Sequence, residues 1–302
     1  MTRDGWDRMA EWRDERTGEE GDLWHRAIIL PAVYHVVGSV RGLRVLDLGC
    51  GVGMLARRFA KQGARSVVGI DRSGPTIERA RARERRDPTG TRFVRCDAGN
   101  LRALPSGSFD LVVANMSLMD IEEAERAVGE VGRVLRPHGR FVFSISHPCF
   151  DTDLRSMWVV ERAVQPNGRF VSTVFRKVSG YRQEVRQSVP WHISERRSVR
   201  TFSYHRTLAT YVRYLRSAGL SVVRIEEPSP LPEALEQSPQ GPFIAEIPLH
   251  LVVEALRTPK LGSPRPASRT SADSPAAARR RSGSSRRTRG SGSRHPGSTP
   301  GS

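Results

Sequence analysis

The sequence predicts an α/β fold built on a doubly wound, mostly parallel sheet. Three observations predict it. Short β-like runs alternate with helical patterns between residues 43 and 146, helix-start residues follow directly on these runs, and the first run ends in the glycine turn "DLGCGVG". Repeated strand-then-helix units close into a sheet through right-handed crossovers, and the ligand crevice of such a sheet lies at the C-terminal ends of its strands.

The elements follow in order. "LRVLDL" (43–48) is the first strand, and "MLARRFAKQG" then sets Leu55, Ala56, Phe59 and Ala60 on one helical face before Gly63 stops it. "SVVGID" (66–71) is the second strand; Ser73 as N-cap and Pro75 in the first turn start a helix at once. "TRFVRCD" (91–97) and "FDLVVAN" (109–115) are the third and fourth strands. After Asp120, residues Ile121, Ala124, Val128, Val131 and Leu135 keep helical spacing, with acids in the first turn and Pro137 beyond the end. "GRFVFSIS" (139–146) is the fifth strand. Beyond it, 147–203 is irregular and aromatic-rich; "TLATYVRYLRSAG" then places Leu208, Tyr211, Val212 and Leu215 on a helix face, and "LSVVRIEEP" and "AEIPLHLVVEAL" read as two last strands.

Composition bounds the function. The 302 residues suffice for one large α/β domain. Cys50, Cys96 and Cys149 have no CxxC spacing, which argues against a disulfide framework or a zinc ribbon, and the eight histidines form no HExxH pattern, so no metal is expected. The charged N-terminus and the absence of an apolar run near the ~18 residues that span a bilayer predict a cytoplasmic protein with no export signal and no membrane association. The net charge of +17 is uneven: residues 258–302 carry ten basic side chains and one acidic, leaving +8 for the preceding 257. That Ser/Gly/Pro/Arg-rich segment has no aliphatic periodicity and is expected to be a disordered basic tail.

Three ligands compete for the glycine turn. "GVGMLA" fits a dinucleotide fingerprint, with Asp71 at a ribose-binding distance along the chain, but Asp47 beside the turn would repel a pyrophosphate. No G-K-[ST] follows, which disfavours a P-loop. A phosphate-free adenosyl cofactor turns the carboxylates into assets: S-adenosylmethionine carries an ammonium, a sulfonium and a ribose diol. Asp71 has two acceptor oxygens for the ribose hydroxyls; Asp97 accepts from the adenine amino group while the Ala98 N–H donates to a ring nitrogen. Each of these residues alone is also an ordinary cap or turn residue, but three acids after three successive strands form a more specific set than any glycine count.

With "VLDLGCGVG", "GID", "VRCDAGNL", "FDLVVANMSLMDI" and "EVGRVLRPHGRFVFSISHP" in this order and spacing, the sequence resembles the class I S-adenosylmethionine-dependent methyltransferases, of the small-molecule group often labelled type 11, over roughly residues 43–148. The resemblance implies a Rossmann-like, seven-stranded sheet whose last strand is antiparallel. It also implies that Gly49, Gly51 and Gly53 approach the methionine part, that Asp71 meets the ribose, that Asp97 with Ala98 meets the adenine, and that Asn115 lines the reaction mouth. The expected organisation is an N-terminal lid (1–42), a methyltransferase domain (43–257) with an inserted substrate cap (147–203), and the tail (258–302). Arg26 of the lid is the candidate partner of the cofactor carboxylate.

Methyl transfer is an in-line displacement that positioning alone can drive, with a general base where the acceptor must lose a proton. His147 directly follows the fifth strand, and Tyr204 and His205 open the helix after the insertion, so these are the catalytic candidates; structural roles for both histidines stay open. The insertion holds Trp158, Phe170, Phe175, Tyr181, Trp191 and Phe202, with ten basic side chains against five acidic between 151 and 203. Such a cap suits an anionic or aromatic small molecule, although its aromatics equally suit a minicore of their own. Two other classes stand beside a small-molecule methyltransferase. One is an RNA or DNA methyltransferase tethered by the basic tail, which the "ANMS" after the fourth strand disfavours for amino methylation of a flipped base. The other is a non-catalytic adenosyl-cofactor-binding protein.

Overall fold

The computed structural model describes residues 5–152 and 155–258, so the tail expected over 258–302 lies outside the described residues except for Thr258. The first five strands match the expected series: β1 (Arg44–Leu48), β2 (Ser66–Asp71), β3 (Arg92–Arg95), β4 (Phe109–Asn115) and β5 (Leu135–Ser146). Two hairpins occupy the insertion, β6 (Ser156–Val164) with β7 (Phe170–Val178), and β8 (Val185–Ser194) with β9 (Arg197–His205). β10 (Leu220–Glu226) and β11 (His250–Arg257) complete the main sheet, whose order is β10-β11-β5-β4-β1-β2-β3. Only β11 runs antiparallel to its neighbours. The strand order reverses between β1 and β4, and the crevice of a doubly wound sheet opens at that switch; the glycine turn after β1 lies there.

Eight α-helices are described: α1 (Gly5–Thr17), α2 (Leu30–Val37), α3 (Met54–Lys61), α4 (Gly74–Arg86), α5 (Ala124–Val134), α6 (Leu208–Ser217), α7 (Pro232–Gln237) and α8 (Gly241–Glu246). Alternation along the buried strands feeds two cores. Val45 of β1 and Val142 of β5 pack on the face covered by α2 and α3, whereas Leu46, Leu48, Phe141, Phe143 and Ile145 pack on the opposite face beneath α5 and α6. Phe59 of α3 is fully buried, which contributes roughly 2–3 kcal/mol by area. Ser73 caps α4 by accepting from the Thr76 N–H, and Thr207 caps α6 in the same way.

Four boundaries and faces differ from the sequence reading. β5 begins at Leu135, because His138 takes a left-handed conformation (φ 61°) that carries the strand past Pro137. The helix expected after Asp120 starts three residues later, since a 3₁₀ turn over Leu118–Asp120 intervenes. β11 starts at His250 because Ala245 and Glu246 close α8. Val212 is 48% exposed, its neighbour Tyr211 taking the inward position on α6.

The N-terminal helix is held by charge. Asp14 of α1 pairs with Arg79 (3.0 Å) and Arg83 (2.5 Å) of α4, and a Cβ at Gly5 would run into the Arg200 carbonyl of β9, so α1 is wedged between α4 and the second hairpin. Among the described residues, no helix is long and apolar enough to cross a membrane.

Candidate functional site

A cavity of about 300 Å³ lies at the C-terminal ends of β1, β2 and β4, a volume suited to a small ligand. Its floor is the turn after β1. Gly49 and Cys50 donate their N–H groups to the Ile70 carbonyl (2.8 Å each), which ties the turn to β2. Gly49, Gly51 and Gly53 all have positive φ (73°, 55° and 84°), a backbone path closed to most side chains. At Gly49 there is also no room for a side chain, since a Cβ there would lie 2.5 Å from the Ser117 Cβ. Gly53 caps α3 and backs onto Phe93; it does not line the cavity itself.

Carboxylates dominate the walls. Asp47 alternates inward from β1, is 2% exposed, and keeps Oδ2 without a hydrogen-bond partner. Burial, and the nearby Asp71 charge, push its pKa up to about 7 against a bond from the Ala56 N–H. Asp71 ends β2 and accepts from Gly51 N–H at Oδ2 (3.1 Å) and Ser73 N–H at Oδ1 (2.9 Å); burial raises its pKa as well. Asp97, Ala98 and Asn115 line the same space, with Asp97 Oδ1 accepting from Gly99 N–H (2.7 Å). Met116, after β4, is held at φ 47°, a strained conformation of the kind that clusters at binding sites. An orphaned, buried carboxyl oxygen in an acid-lined pocket fits a cationic ligand that carries a diol. It does not fit a pyrophosphate.

The structure therefore brings together Asp47, Gly49, Gly51, Asp71, Asp97, Ala98 and Asn115. Other candidates lie elsewhere. Arg26 pairs with Glu233 of α7 (2.7 Å) and does not line the cavity. His147 is 3% exposed with both ring nitrogens engaged, Nε2 with Glu227 (2.9 Å) and Nδ1 with the Cys149 N–H (3.1 Å). His205 is buried with Nε2 bonded to the Tyr181 carbonyl (2.8 Å), and Tyr204 meets the cavity only through Glu122 at its rim. No described residue of the insertion lines the cavity; Trp191 instead packs behind α1, its ring centroid 6.4 Å from Trp6 and 6.0 Å from Trp12. The roof is α1, through Trp6, Ala10, Arg13 and Thr17, joined by His25. All of these roof residues fall in the lid expected over 1–42, but the sequence assigned a role to none of them.

The Asp47 carboxyl gives this site a pH signature. Its native pKa of about 7 lies above the 3.8 of a free carboxyl, so the native state holds a proton that the unfolded chain loses between about pH 4 and pH 7. Stability from this group is thus present at low pH and declines across that window, by up to ~1.4 kcal/mol per unit. Asp47→Asn is expected to melt at least ~2 °C higher than the parent at pH 8. Affinity for a cationic ligand runs the other way, falling by up to about tenfold per unit as pH drops below 7, and this dependence should vanish in Asp47→Asn. Thermal melts from pH 6 to 8 and calorimetry between pH 6 and 7.5 check both; a flat affinity in the parent would remove Asp47 from the cation's cradle.

Comparison with known proteins follows this geometry. Residues 46–143 match the family model described as "Methyltransferase domain". An S-adenosylmethionine-dependent methyltransferase from Mesorhizobium loti of known structure is 30% identical, with a TM-score of 0.60, over 80% of this chain and 100% of its own. A sterol 24-C-methyltransferase of Aspergillus fumigatus is 34% identical over 40% of this chain and 33% of its own length. A demethylmenaquinone methyltransferase of Renibacterium salmoninarum is 34% identical over 42% of this chain and 49% of its own. The chain thus spans between a third and a half of these two relatives.

Proposed function

The chain belongs to the S-adenosylmethionine-dependent methyltransferases, and on that premise we propose that it methylates a small anionic or aromatic molecule held beneath α1. The observation that carries this reading is the cavity whose acid-lined floor continues into a roof of Trp6 and Arg13. When bound, S-adenosylmethionine supplies a methyl group already activated by its sulfonium. Asp47 offers its free oxygen to the ammonium, Asp71 its remaining lone pairs to the ribose, and Asp97 with the Ala98 N–H recognises the adenine. The fixed turn holds these groups in place, and α1 excludes water from the reacting centre.

Arg13 supports the acceptor class. Its guanidinium lies 5.9 Å over the Trp6 ring and 6.0 Å over Trp191, and among the described residues it makes no ion pair or hydrogen bond. Burial lowers its pKa, while the charges of Asp22, Asp120 and Asp71 pull it up. A carboxylate or phenolate on the acceptor would stabilise that charge, and Trp6 gives an aromatic ring a face to stack on. The activities for which these relatives are named, on sterols and on demethylmenaquinone, also favour a small molecule.

The test is incubation of the full chain with methyl-labelled S-adenosylmethionine, deproteinised metabolite extract and total RNA from one lysate. Label in a low-molecular-weight acidic or aromatic fraction is the expected result. Label in RNA would overturn the acceptor class and promote nucleic-acid methylation; the absence of any labelled product would favour a binding protein.

A further inference from the structure

The cavity roof contains a polar pair that cofactor recognition leaves unused. It is built by the short stretch "GDLWHR", residues 21–26. Gly21 is at φ 88°, and a Cβ there would lie 2.7 Å from the Cβ of His25, so glycine allows the chain to fold back under the histidine. Asp22 then accepts twice at one oxygen, from the His25 N–H (3.0 Å) and from its Nδ1 (2.8 Å). Next comes a π turn over His25–Ile29, a rare local geometry frequent at functional sites.

The hydrogen bonds assign the tautomer. An ionised carboxylate only accepts, so Nδ1 carries the hydrogen and Nε2 keeps its lone pair. Among the described residues Nε2 has no hydrogen-bond partner, while the ring lines the cavity together with Asp47 and Met54. Both conditions for a proton acceptor are met here, an oriented ring and a free nitrogen beside the ligand space. His147 is oriented as well, but both its nitrogens are taken and it does not line the cavity.

We propose that Asp22 and His25 form the dyad that removes the acceptor's proton, so that the methylated atom is an oxygen or nitrogen bearing a hydrogen. This inference rests on the methyl-transfer reading. A lone pair of the acceptor atom forms the new bond to the methyl carbon as the carbon–sulfur bond breaks, its electron pair remaining on sulfur as a neutral thioether. The acceptor's proton passes to His25 Nε2 and from there to solvent, and Asp22 faces the imidazolium formed meanwhile. Asp22 is suited to this: burial pushes its carboxyl up, but the bonds and charge of His25 outweigh that and hold it below the usual carboxylate range. The other charged or titratable groups facing the ring are Arg13 of α1, Asp47 of β1 and His250 of β11, the last kept neutral to about pH 4, chiefly by burial and then by the His25 charge. His25 is the catalytic residue of the pair and Asp22 the positioning one.

The experiment uses the full chain with S-adenosylhomocysteine and with labelled S-adenosylmethionine plus deproteinised metabolite extract. In the S-adenosylhomocysteine complex, ¹⁵N NMR should show that the neutral His25 ring carries its hydrogen on Nδ1 and has a bare Nε2. His25→Gln should keep the affinity for S-adenosylhomocysteine within about threefold and lose roughly 100-fold or more in methyl transfer, with the acidic limb of its pH–rate profile gone. Added imidazole should partly restore transfer in His25→Ala, which a purely structural loss would not allow. Asp22→Asn should lower transfer at least about tenfold and displace the same limb. An Nε2 that carries the hydrogen, a tenfold loss of S-adenosylhomocysteine affinity in His25→Gln, or unchanged transfer would each overturn the dyad. If the parent labels nothing, the methyl-transfer reading falls, and the NMR alone upholds or overturns the proton acceptor.

Discussion

Asp71→Ala is expected to weaken S-adenosylmethionine binding by at least ~100-fold, about 3 kcal/mol. On the proposed reading the side chain offers two acceptor oxygens to the ribose, and a charge-assisted hydrogen bond contributes roughly 1.5–3 kcal/mol. It also latches the site, since its oxygens hold the N–H of Gly51 in the glycine turn and of Ser73 at the start of α4. Removing the carboxylate therefore frees the turn as well as the ligand contact. Asp71→Asn keeps one acceptor and should lose less, about tenfold. Calorimetry on both variants checks the order; equal losses would mean that the charge alone matters and that the latch contributes nothing.

Gly49→Ala should be more damaging still, through the backbone. A residue with a Cβ at φ 73° costs about 1–2 kcal/mol, and the new carbon would sit 2.5 Å from Ser117 Cβ and 2.8 Å from its Oγ. That hydroxyl donates to the Leu48 carbonyl (2.8 Å), so the clash falls on the bond that fixes the end of β1. We expect a melting temperature at least ~5 °C lower and cofactor binding too weak to measure. Gly51→Ala is the internal control. At φ 55° it carries similar strain, but a Cβ there meets nothing within 4 Å, so its melt should change by only a few degrees. A Gly49 variant as stable as the Gly51 variant would show that the crowding at Ser117 relaxes at no cost.

The parts of the site legible in the sequence are those made by local pattern. A strand end followed by glycine located the turn, and acids after three successive strands marked the ligand, so the floor of the cavity followed from residues 44–56, 71 and 97–98. The roof was not legible for a physical reason. α1 is charged along most of its length and its apolar face is only Trp6, Met9 and Ala10; its docking also depends on Asp14 meeting Arg79 and Arg83 of α4, about 65 residues away in sequence. The aromatics of the insertion gave a correct count and a wrong direction, since Trp191 is aimed at the outer side of α1. His147 was placed correctly at the end of β5, but the bond from its ring to Glu227 is a tertiary contact that no local spacing encodes. His25 had a usable signal: an Asp three residues before a His, just after a glycine, both caps a turn and orients a ring.

If carboxylates at three successive strand ends select a cationic, phosphate-free adenosyl cofactor, the chain must discriminate it from NAD. Calorimetry of the full chain at pH 7.5 with S-adenosylmethionine and with NAD, each alone and in competition, measures that discrimination. Saturable, one-to-one binding of S-adenosylmethionine is expected, with an NAD affinity at least ~100-fold weaker, because Asp47 and Asp71 face the place where a pyrophosphate would have to lie. NAD binding as tight as S-adenosylmethionine, or displacing it, would mean that these carboxylates do not select the cofactor.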